Sequence, residues 1–360
     1  MAEPRVLFVT GEYPPDVGGI GDYTARLRAA LLDRGVASTV LTRQDVGRWN
    51  ARSLLHLLQA SARDGIVHIQ YQPAAFDLLG DVCLMPLLVR IARRGARVVT
   101  TLHDTRVPYL FRGAGPLRWQ AVRLLARTSH AVIAADERDL HVLGARTGHV
   151  VPIGSNVACQ PPVSYERSAF RARLGIAPNT LVVVYFGLLN ASKGLDALLN
   201  AFDRIAAQRD ARLLLVGAVA GASDATDRAT ASAMAGRLAG FGDRLIRTGF
   251  LAPGDVSAHL LAADVALLPY RDGASPRRGS LLACAEHGLP IVSTLPASAS
   301  VADAVLAVPP DDVTGLAAAV LRVAEDAALA ARLRASSRAL AERVSWPRIA
   351  DQHAAIYRQM

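Results

Sequence analysis

The sequence predicts an α/β protein built from two tandem Rossmann-like, doubly wound domains with an inter-domain cleft. Its 360 residues exceed what one ordinary core needs and suffice for two. Apolar residues make up 51% of the chain and aromatic residues only 5%, which is typical of valine-rich buried strands with alanine- and leucine-rich helices. Short apolar runs alternate with helical patterns in both halves, and this alternation predicts parallel sheets.

The first half, residues 1–157, is predicted to form one domain in which strands and helices alternate. The candidate strands are Val6–Thr10, Ser38–Leu41, Ile66–Gln70, Arg97–Thr101, Ala131–Ala134 and His149–Pro152. The candidate helices are about Thr24–Arg34, Arg52–Arg63, Cys83–Arg94, Leu117–Thr128 and Glu137–Leu143. Ligands of such a domain are expected at the carboxyl ends of the strands, where the cleft opens.

The alternation lapses after the first domain and then resumes. Residues 158–172 are expected to form a linker, because this stretch has two prolines and no clear periodicity. A second domain is predicted over 173–344, with a long helical pattern over Val313–Arg343. Its strand patterns are LVVVYFG, RLLLVG, RLIRTGF, VALLPY and PIVST. A terminal helix is predicted over 345–360.

Composition excludes several classes of protein. The formal net charge is +9, but arginines occur along the whole chain and do not alternate with aromatic residues, which argues against a nucleic-acid partner. The three scattered cysteines give neither a disulfide framework nor a metal spacing. No apolar run is long enough to span a membrane, and the first residues lack the basic region of a signal peptide. The expected compartment is the cytoplasm.

The opening stretch GEYPPDVGGIGDY follows the first predicted strand. Gly18, Gly19 and Gly21 precede a predicted helix, so backbone N–H groups there could approach an anion at the helix N-terminus. The spacing is not that of the dinucleotide-binding fingerprint. A plain turn explains the same residues, and the sequence leaves both alternatives open.

Two further strand ends supply polar residues. TLHD ends the fourth predicted strand with His103 and Asp104, and a histidine there is either structural or in contact with a ligand. FGLLNASKG ends a strand at Gly187 and places Lys193 before the next helix. A lysine there can meet a diphosphate as a mobile point charge, although a solvated surface lysine is the alternative. The chain has few lysines and many arginines, so the use of a lysine at this position favours a functional role over a solvated surface residue.

The stretch YRDGASPRRGSLLACAEHGLPIVST, which follows the strand VALLPY, predicts an anion site. Ser275 belongs to a turn, Arg277 and Arg278 flank the start of a short helix, and Gly288 closes it. A helix N-terminus combined with two guanidinium groups attracts a diphosphate. Gly279 and Ser280 complete the turn, and SLLACAEHG then forms the short helix, with Leu281 in its first turn. The alternative is a capped, solvated turn.

These segments together resemble the family 4, GT-B-fold, nucleotide-sugar-dependent glycosyltransferases. The resemblance rests on GEYPPDVGGIGDYTARL, TLHD, FGLLNASKGLDALLNAF and ADVALLPYRDGASPRRGSLLACAEHGLPIVST, and it covers almost the whole chain. The terminal SWPRIADQHAAIYRQM is similar to the helix that in this family crosses back to the first domain. The resemblance implies an acceptor-side first domain, a donor-binding second domain and a hexosyltransferase-like enzyme (EC 2.4) that transfers its sugar with retention of anomeric configuration.

Three positions depart from the family pattern. Leu188 stands where the family usually has an arginine. Ser275 and Ala283 stand where it has two glutamates, of which the first meets the donor sugar and the second the ribose. Glu286, one helical turn beyond Ala283, is a candidate for the ribose contact, and Asp272 for the sugar contact.

The resemblance assigns roles to the remaining candidates. Lys193, Arg277 and Arg278 would stabilise the leaving diphosphate, and His103 would contact the donor sugar. The donor-binding candidates are Gly18, Gly19, Gly187, Ser275, Gly279, Ser280, Leu281 and Glu286. Because these cations supply the charge, no metal or other cofactor is obligatory, and the donor substrate is a nucleoside-diphosphate sugar. The expected acceptor is a small molecule or a glycan.

Other functions fit the same residues. The missing glutamates favour a relative that binds nucleotide sugar and transfers nothing. A GT-B-fold nucleotide-sugar epimerase is a further alternative, as is a transferase with a non-glycosidic acceptor. The arginines that follow the apolar segment Leu84–Arg94 suggest peripheral membrane contact, but this segment is apolar nearly all round, which favours a buried helix.

Overall fold

The computed structural model describes residues 5–16, 18–49, 51–60, 65–77, 80–103, 108, 115–187, 193–217 and 236–360. The chain divides into two compact units. The first unit comprises Met1–Asn156 and Val344–Met360, and the second comprises Val157–Arg343. The segment expected to be a linker, 158–172, lies within the second unit and includes the start of a helix at Arg167.

The first unit contains a six-stranded, wholly parallel sheet in the order β2-β1-β3-β4-β5-β6. Its strands are β1 (Val6–Val9), β2 (Ser38–Leu41), β3 (Ile66–Tyr71), β4 (Arg97–Leu102), β5 (Ala131–Ala134) and β6 (Gly148–Val150). In the register of the central strands, Val6 lies opposite both Ser38 and Ile66. The chain first moves outward to β2 and then returns to β3 on the other side of β1. The direction of winding therefore reverses between β1 and β3, and ligands of such sheets bind at this kind of reversal.

The helices of the first 156 residues follow the predicted pattern with three corrections, one of which is a short helix, Arg43–Val46, that the sequence did not predict. They are α1 (Gly19–Leu32), α2 (Arg43–Val46), α3 (Ala51–Ala60), α4 (Met85–Ala92), α5 (Leu117–Thr128) and α6 (Glu137–Leu143). The first helix begins at Gly19 rather than at the predicted Thr24, because Gly18 is the extended N-cap and its carbonyl already accepts from the Asp22 N–H (3.0 Å). The α4 helix begins at Met85 and not at Cys83, because Gly80–Leu84 forms a 3-10 helix.

The second unit repeats this architecture. Its sheet is again six-stranded and parallel, in the order β12-β11-β10-β7-β8-β9. The strands are β7 (Leu181–Phe186), β8 (Ala211–Val216), β9 (Leu245–Arg247), β10 (Val265–Leu268), β11 (Ile291–Thr294) and β12 (Val305–Val308). The winding reverses between β7 and β10, which are hydrogen-bonded neighbours. This reversal is the place where a ligand of the second sheet is expected.

The second unit's helices are α7 (Arg167–Arg173), α8 (Leu195–Ala206), α9 (Pro253–Ala262), α10 (Gly279–Glu286), α11 (Val313–Glu325) and α12 (Ala327–Arg343). The long helix predicted over Val313–Arg343 is wrong. It breaks at Asp326, whose backbone leaves the helical region (φ −101, ψ 95). The Asp326 carboxylate then accepts from the Leu329 N–H (2.9 Å), so one polar residue ends the first helix and caps the second.

The terminal helix α13 (Trp346–Arg358) completes the core of the first unit. Its residues Ile349 and Tyr357 are buried in the same apolar cluster as Phe8 of β1 and Leu27 of α1. Two hydrogen bonds add to this packing: Trp346 Nε1 donates to the Ser155 carbonyl (2.8 Å), and the Tyr357 hydroxyl lies 2.6 Å from Nδ1 of His68. Within the described ranges, no helix combines the length and the apolar character that crossing a bilayer requires.

Candidate functional site

The main cluster of predicted site residues lies where β7 and β10 end, at the winding reversal of the second sheet. Gly187 follows β7 with a φ of 125°, a conformation that L side chains rarely adopt. A Cβ atom on Gly187 would stand 2.8 Å from Nζ of Lys193 and 3.6 Å from Cβ of Ser280. The absence of a side chain at Gly187 therefore lets the lysine ammonium and the first turn of α10 meet at the end of β7.

Lys193 is the only lysine of the sequence, which otherwise uses arginine for its basic residues. Its backbone position is fixed by Gly194, the N-cap of α8, which has a φ of 69°. A Cβ on Gly194 would lie 1.9 Å from the carbonyl oxygen of Pro269, so the start of α8 is seated against the chain leaving β10. The uniqueness of this lysine is a stronger signal than its position alone.

Ser280 is held by a buried phenol. Its Oγ lies 2.7 Å from the hydroxyl of Tyr270, and both side chains are buried. Burial raises the pKa of Tyr270 above its ordinary value, so the phenol stays protonated and can donate to Ser280. The sequence did not predict this contact, because Tyr270 was assigned only to the end of a strand.

Arg278 lies over the Tyr270 ring, 4.7 Å from its centroid, and forms an ion pair with Asp272. This residue is the N-cap of α10, and its backbone N–H donates to the carbonyl of Ser275 (3.1 Å). A Cβ on Gly279, the first helical residue, would meet no atom within 4 Å. The first turn of α10 therefore combines a guanidinium, a helix N-terminus and open space, and this combination attracts an anion.

The remaining candidates on α10 differ in exposure. Leu281 and Ala283 are buried, and the Leu281 N–H already donates to the Arg278 carbonyl (2.9 Å). Glu286 is the last residue of the helix, about 10 Å along the axis from Gly279 at 1.5 Å per residue. The Glu286 carboxylate lies near the Cys159 thiol. The pKa of this thiol is raised mainly by burial and further by the charge of Glu286. Arg277 is half-buried beside Arg278.

Leu188, which stands where the family usually has an arginine, lies outside the described residues. Asp104 of the TLHD segment also lies outside them. Asp272, considered for a sugar contact, is instead paired with Arg278.

In the first unit, His103 follows β4 and is kept neutral. Its Nε2 lies 2.7 Å from Oε1 of Gln70, and the Tyr23 ring makes an edge contact with it at 4.8 Å between centroids. Burial, with a smaller contribution from His353, lowers the pKa of His103 to about 3. Because the Gln70 oxygen only accepts, the proton of the neutral ring is assigned to Nε2 and the lone pair to Nδ1.

In the opening loop, a carboxylate of the chain itself lies beside Gly18. A Cβ on Gly18 would lie 1.9 Å from Oε2 of Glu12, so the chain's own carboxylate lies against the start of α1. Burial raises the pKa of Glu12, and the charges of Asp16 and Asp22 raise it further. A bound anion would have to displace this carboxylate. Gly19 has no atom within 4 Å of a hypothetical Cβ.

Among the described residues, no three histidine, cysteine, aspartate or glutamate side chains converge as a metal site would require.

Solved structures share this fold over nearly the whole chain. Sucrose-phosphate synthase from Thermosynechococcus elongatus superimposes with a TM-score of 0.75 at 20% identity, covering 99% of this chain and 98% of its own. Anabaena Alr3699/HepE in complex with UDP and glucose gives 0.75 at 19% identity, with 99% and 100% covered. Trehalose-6-phosphate from E. coli bound with UDP-2-fluoro glucose gives 0.70 at 16%, with 99% of each chain covered. The two-sheet architecture is therefore the GT-B fold, as the sequence predicted.

Residues 180–326 match the family model described as Glycosyl transferases group 1. This range begins beside β7, contains α10 and the β7–β10 reversal, and lies wholly within the second unit. The match, together with the shared fold, confirms the predicted enzyme class, a glycosyltransferase. No curated protein matches the chain by sequence.

Proposed function

We propose that the protein transfers a sugar from a nucleoside-diphosphate sugar to an acceptor hydroxyl, with retention of configuration at the anomeric carbon, as family 4 glycosyltransferases do. The donor we propose is a UDP-sugar. HepE, which shares the fold, was solved with UDP and with UDP-glucose, and the E. coli neighbour with UDP-2-fluoro glucose. The family match over 180–326 supports placing this donor on the second unit.

One observation supports this proposal most directly: at the winding reversal of the second sheet, Nζ of the only lysine and Cβ of Ser280 both lie within 4 Å of a hypothetical Cβ on Gly187. Lys193 would neutralise charge on the diphosphate as the glycosidic bond breaks. Ser280 and the N–H groups of Gly279 and Ser280 would contact phosphate oxygens at the start of α10. The Tyr270 hydroxyl would hold Ser280 in place as a positioning residue.

The other candidates have proposed roles that follow from their surroundings. Arg278 is fixed by Tyr270 and Asp272 and would bring charge to the diphosphate, with Arg277 beside it. His103 is neutral, so it would contact the donor sugar through hydrogen bonding and not through charge. Gly18, Gly19, Gly187, Ser275, Leu281 and Glu286 remain proposed donor contacts.

The test is an assay of the full chain with a panel of nucleotide sugars and with simple glycosides as acceptors. We expect nucleoside-diphosphate release that depends on acceptor, fastest with a UDP-sugar, and a product whose anomeric configuration by NMR matches that of the donor. Inverted configuration would overturn the retaining assignment. Full activity in EDTA is expected, because protein cations stabilise the leaving group.

The single lysine permits a second, independent test. Pyridoxal 5′-phosphate forms an imine with an amine, and borohydride reduction fixes the label. Peptide mapping should find the label on Lys193, apart from the N-terminal amine, and saturating UDP should protect Lys193 while leaving the N-terminus labelled. Labelling of Lys193 that UDP does not reduce would remove this residue from the donor site.

A binding protein without transferase activity is the second candidate, because Ser275 and Ala283 replace the two glutamates of the family and Ala283 is buried. Its signature is a UDP-induced rise in thermal stability with no product under any acceptor. An epimerase would change the donor sugar without acceptor. The proposed acceptor is a small molecule or a glycan, with peripheral membrane contact as the less favoured alternative. The cytoplasm remains the compartment that the sequence predicts.

A further inference from the structure

A second cavity in the same unit lies at the opposite ends of the strands. It has a volume of about 410 Å³. Its walls come from the amino ends of β7 and β10 and from the start of α12, and include Thr180, Leu181, Asp264, Val265, Ala327 and Ala330. Because β7 has six residues at about 3.3 Å each, this cavity lies roughly 20 Å from the strand ends that carry Gly187 and Ser280.

Two arginines line this cavity, and among the described residues neither forms an ion pair with a carboxylate. Arg209 is half-buried, and within the described part of the chain no carboxylate pairs with its guanidinium. Arg334 makes one long hydrogen bond, from its Nη2 to the backbone carbonyl of Asp264 (3.4 Å). Burial is the main reason that the pKa of Arg334 is lowered, so an anion beside this guanidinium would be favoured.

The Asp264 carboxylate lines the cavity and raises the pKa of Arg334 by its charge, but its oxygens are hydrogen-bonded to other groups. Asp264 accepts from Arg167 (2.6 Å), from Arg171 (3.2 Å) and from the Val182 N–H (2.8 Å). Asp210, which follows Arg209 in sequence, accepts from the Thr180 hydroxyl (2.5 Å) and from Arg212 (3.3 Å). The ion pairs of Asp264 and Asp210 are therefore made with Arg167, Arg171 and Arg212, and not with the two arginines that line the cavity.

We propose that this cavity is a second anion site that binds the phosphate group of a small phosphorylated molecule between Arg209 and Arg334. A planar guanidinium group can donate two parallel hydrogen bonds to two oxygens of a phosphate monoester. The remaining wall, from Val265, Val323 and Ala324, offers apolar surface to the body of the ligand. The cavity is distinct from the proposed donor site, because it lies at the amino ends of the strands and the donor residues follow the carboxyl ends.

The test uses the full chain, isothermal titration calorimetry in a phosphate-free buffer of low ionic strength, and two probes. The probes are inorganic phosphate and glucose 6-phosphate. The variants are Arg209→Gln and Arg334→Gln, with Arg204→Gln as the matched control. Arg204 is an exposed arginine of the same unit that lines a different groove, beside α8 and α11. Lys193→Ala tests whether a probe binds at the proposed donor site instead.

We expect both probes to bind the unaltered chain, and each cavity variant to weaken binding about tenfold or more, the effect of losing one charge-assisted contact. Arg204→Gln and Lys193→Ala should bind as the unaltered chain does. Tighter binding of glucose 6-phosphate than of inorganic phosphate would identify a phosphorylated molecule as the ligand. Equal affinity for the two probes would identify inorganic phosphate. Either result supports the site.

Three results would overturn the inference: no heat of binding with either probe, unchanged affinity in Arg209→Gln, or affinity lost in Lys193→Ala. Arg209→Gln is the decisive variant, because its side chain is half-exposed and its replacement leaves no buried group unpaired. Basal glycosyl transfer should not change in this variant, so failure of the second site and failure of the proposed transferase activity are separately visible.

Discussion

The Lys193 ammonium touches the proposed donor site from a helix start whose backbone is fixed by Gly194. We predict that Lys193→Ala lowers kcat/KM by about 100-fold or more, as removal of one preorganised charged contact does in other active sites. The melting temperature should change little, because the side chain is half-exposed. Transfer assays and thermal unfolding measure the two effects, with Arg204→Ala as a control that removes an exposed cation from the same helix, α8.

A result in which Lys193→Ala keeps at least half of the activity would contradict the role given to this residue. Loss of activity together with a large fall in melting temperature would show that the lysine stabilises the fold instead.

A substitution at Gly279 tests ligand binding separately from stability. A Cβ at this position would meet no atom within 4 Å in the described chain, and alanine favours a helix over glycine. We therefore predict that Gly279→Ala leaves thermal stability unchanged or slightly raised. If phosphate oxygens approach the first turn of α10, the added methyl group must weaken UDP binding several-fold. Calorimetry with UDP measures this, and unchanged affinity would move the diphosphate away from α10.

The sequence could predict which residues come together where those residues follow the ends of strands. Gly187, Lys193 and Ser280 follow β7 and β10, and parallel topology brings strand ends together whatever the loop conformation. The Tyr270–Ser280 contact and the Arg278–Asp272 ion pair were not predictable, because each depends on the path of one irregular loop. Glu12 was missed for the same reason: the sequence indicates a loop before α1 but not which of its side chains turns back onto the helix.

Three elements of the first unit meet through buried histidines. His68 on β3 lies between the Tyr357 hydroxyl of α13 and the Thr101 hydroxyl of β4 (2.7 Å). His353 on α13 lies 5.7 Å from His68 between ring centroids, and among the described residues its Nε2 has no hydrogen-bond partner. Burial lowers the pKa of His353 to about 4 and that of His68 well below its ordinary value. Both rings are therefore neutral in the folded protein at neutral pH.

This arrangement predicts that the first unit loses stability in mild acid. Below the ordinary histidine pKa of about 6.5, the unfolded chain binds protons that the folded chain excludes. Each such histidine then costs about 1.4 kcal/mol of stability per pH unit as pH falls from about 6 towards 4, and nothing above pH 7. Urea unfolding between pH 4 and 8 measures the slope. Tryptophan fluorescence reports this unit alone, because Trp49, Trp119 and Trp346 all lie in it.

In His353→Leu the slope should fall by about one proton, whereas His56→Gln, at an exposed position on α3, should leave it unchanged. A pH-independent free energy of unfolding between pH 5 and 7 would contradict the prediction.

The Tyr357 hydroxyl makes the hydrogen bond that joins α13 to β3. We predict that Tyr357→Phe destabilises the first unit by about 1–2 kcal/mol, because His68 loses a buried partner while the ring packing is kept. The matched control is Asp351→Asn on the same helix. Asp351 pairs with Arg34 (2.7 Å) at the surface, where solvent screens the two charges, so its loss should change stability little. An equal loss of stability in both variants would show that the buried hydrogen bond contributes no more than the surface ion pair.

Among helices and strands, strongly periodic segments were predictable and their interruptions were not. LDALLNAFDRIA spans α8 from its first residue to its last, because apolar residues recur on one face. The break at Asp326 was missed, since alanine-rich sequence on both sides satisfies the helical period equally well. The early start of α1 was missed because glycines read as loop, although an extended Gly18 serves as an N-cap.

The two units depend differently on the end of the chain. Removing residues 344–360 takes Ile349, Ile356 and Tyr357 from the core around Phe8. We predict that this truncation abolishes the cooperative unfolding transition seen by tryptophan fluorescence at Trp49, while the second unit keeps its own transition by circular dichroism. Because Lys193 lies in the second unit, its UDP-protected labelling should also survive. A truncated chain that retains both transitions would contradict the dependence of the first unit on α13.

The alternation of strands and helices predicted both sheets, because hydrophobic periodicity is local information. The assignment of the last helix to the first unit is not local. It depends on which surface the apolar face of this helix packs against once both sheets have formed. Only the resemblance to known glycosyltransferases indicated that the helix belongs to the first unit.

The discontinuous first unit also sets an order of events on the ribosome. Phe8 and its neighbours emerge early, but the helix that covers them is encoded after every residue of the second unit. At about 5–20 residues per second, the roughly 190 intervening residues take on the order of 10–40 s to synthesise. Throughout that interval the nascent chain exposes an uncovered apolar sheet surface while its later half is already able to fold. Chaperones that bind exposed apolar strands therefore have their longest opportunity on the part of this protein that is made first.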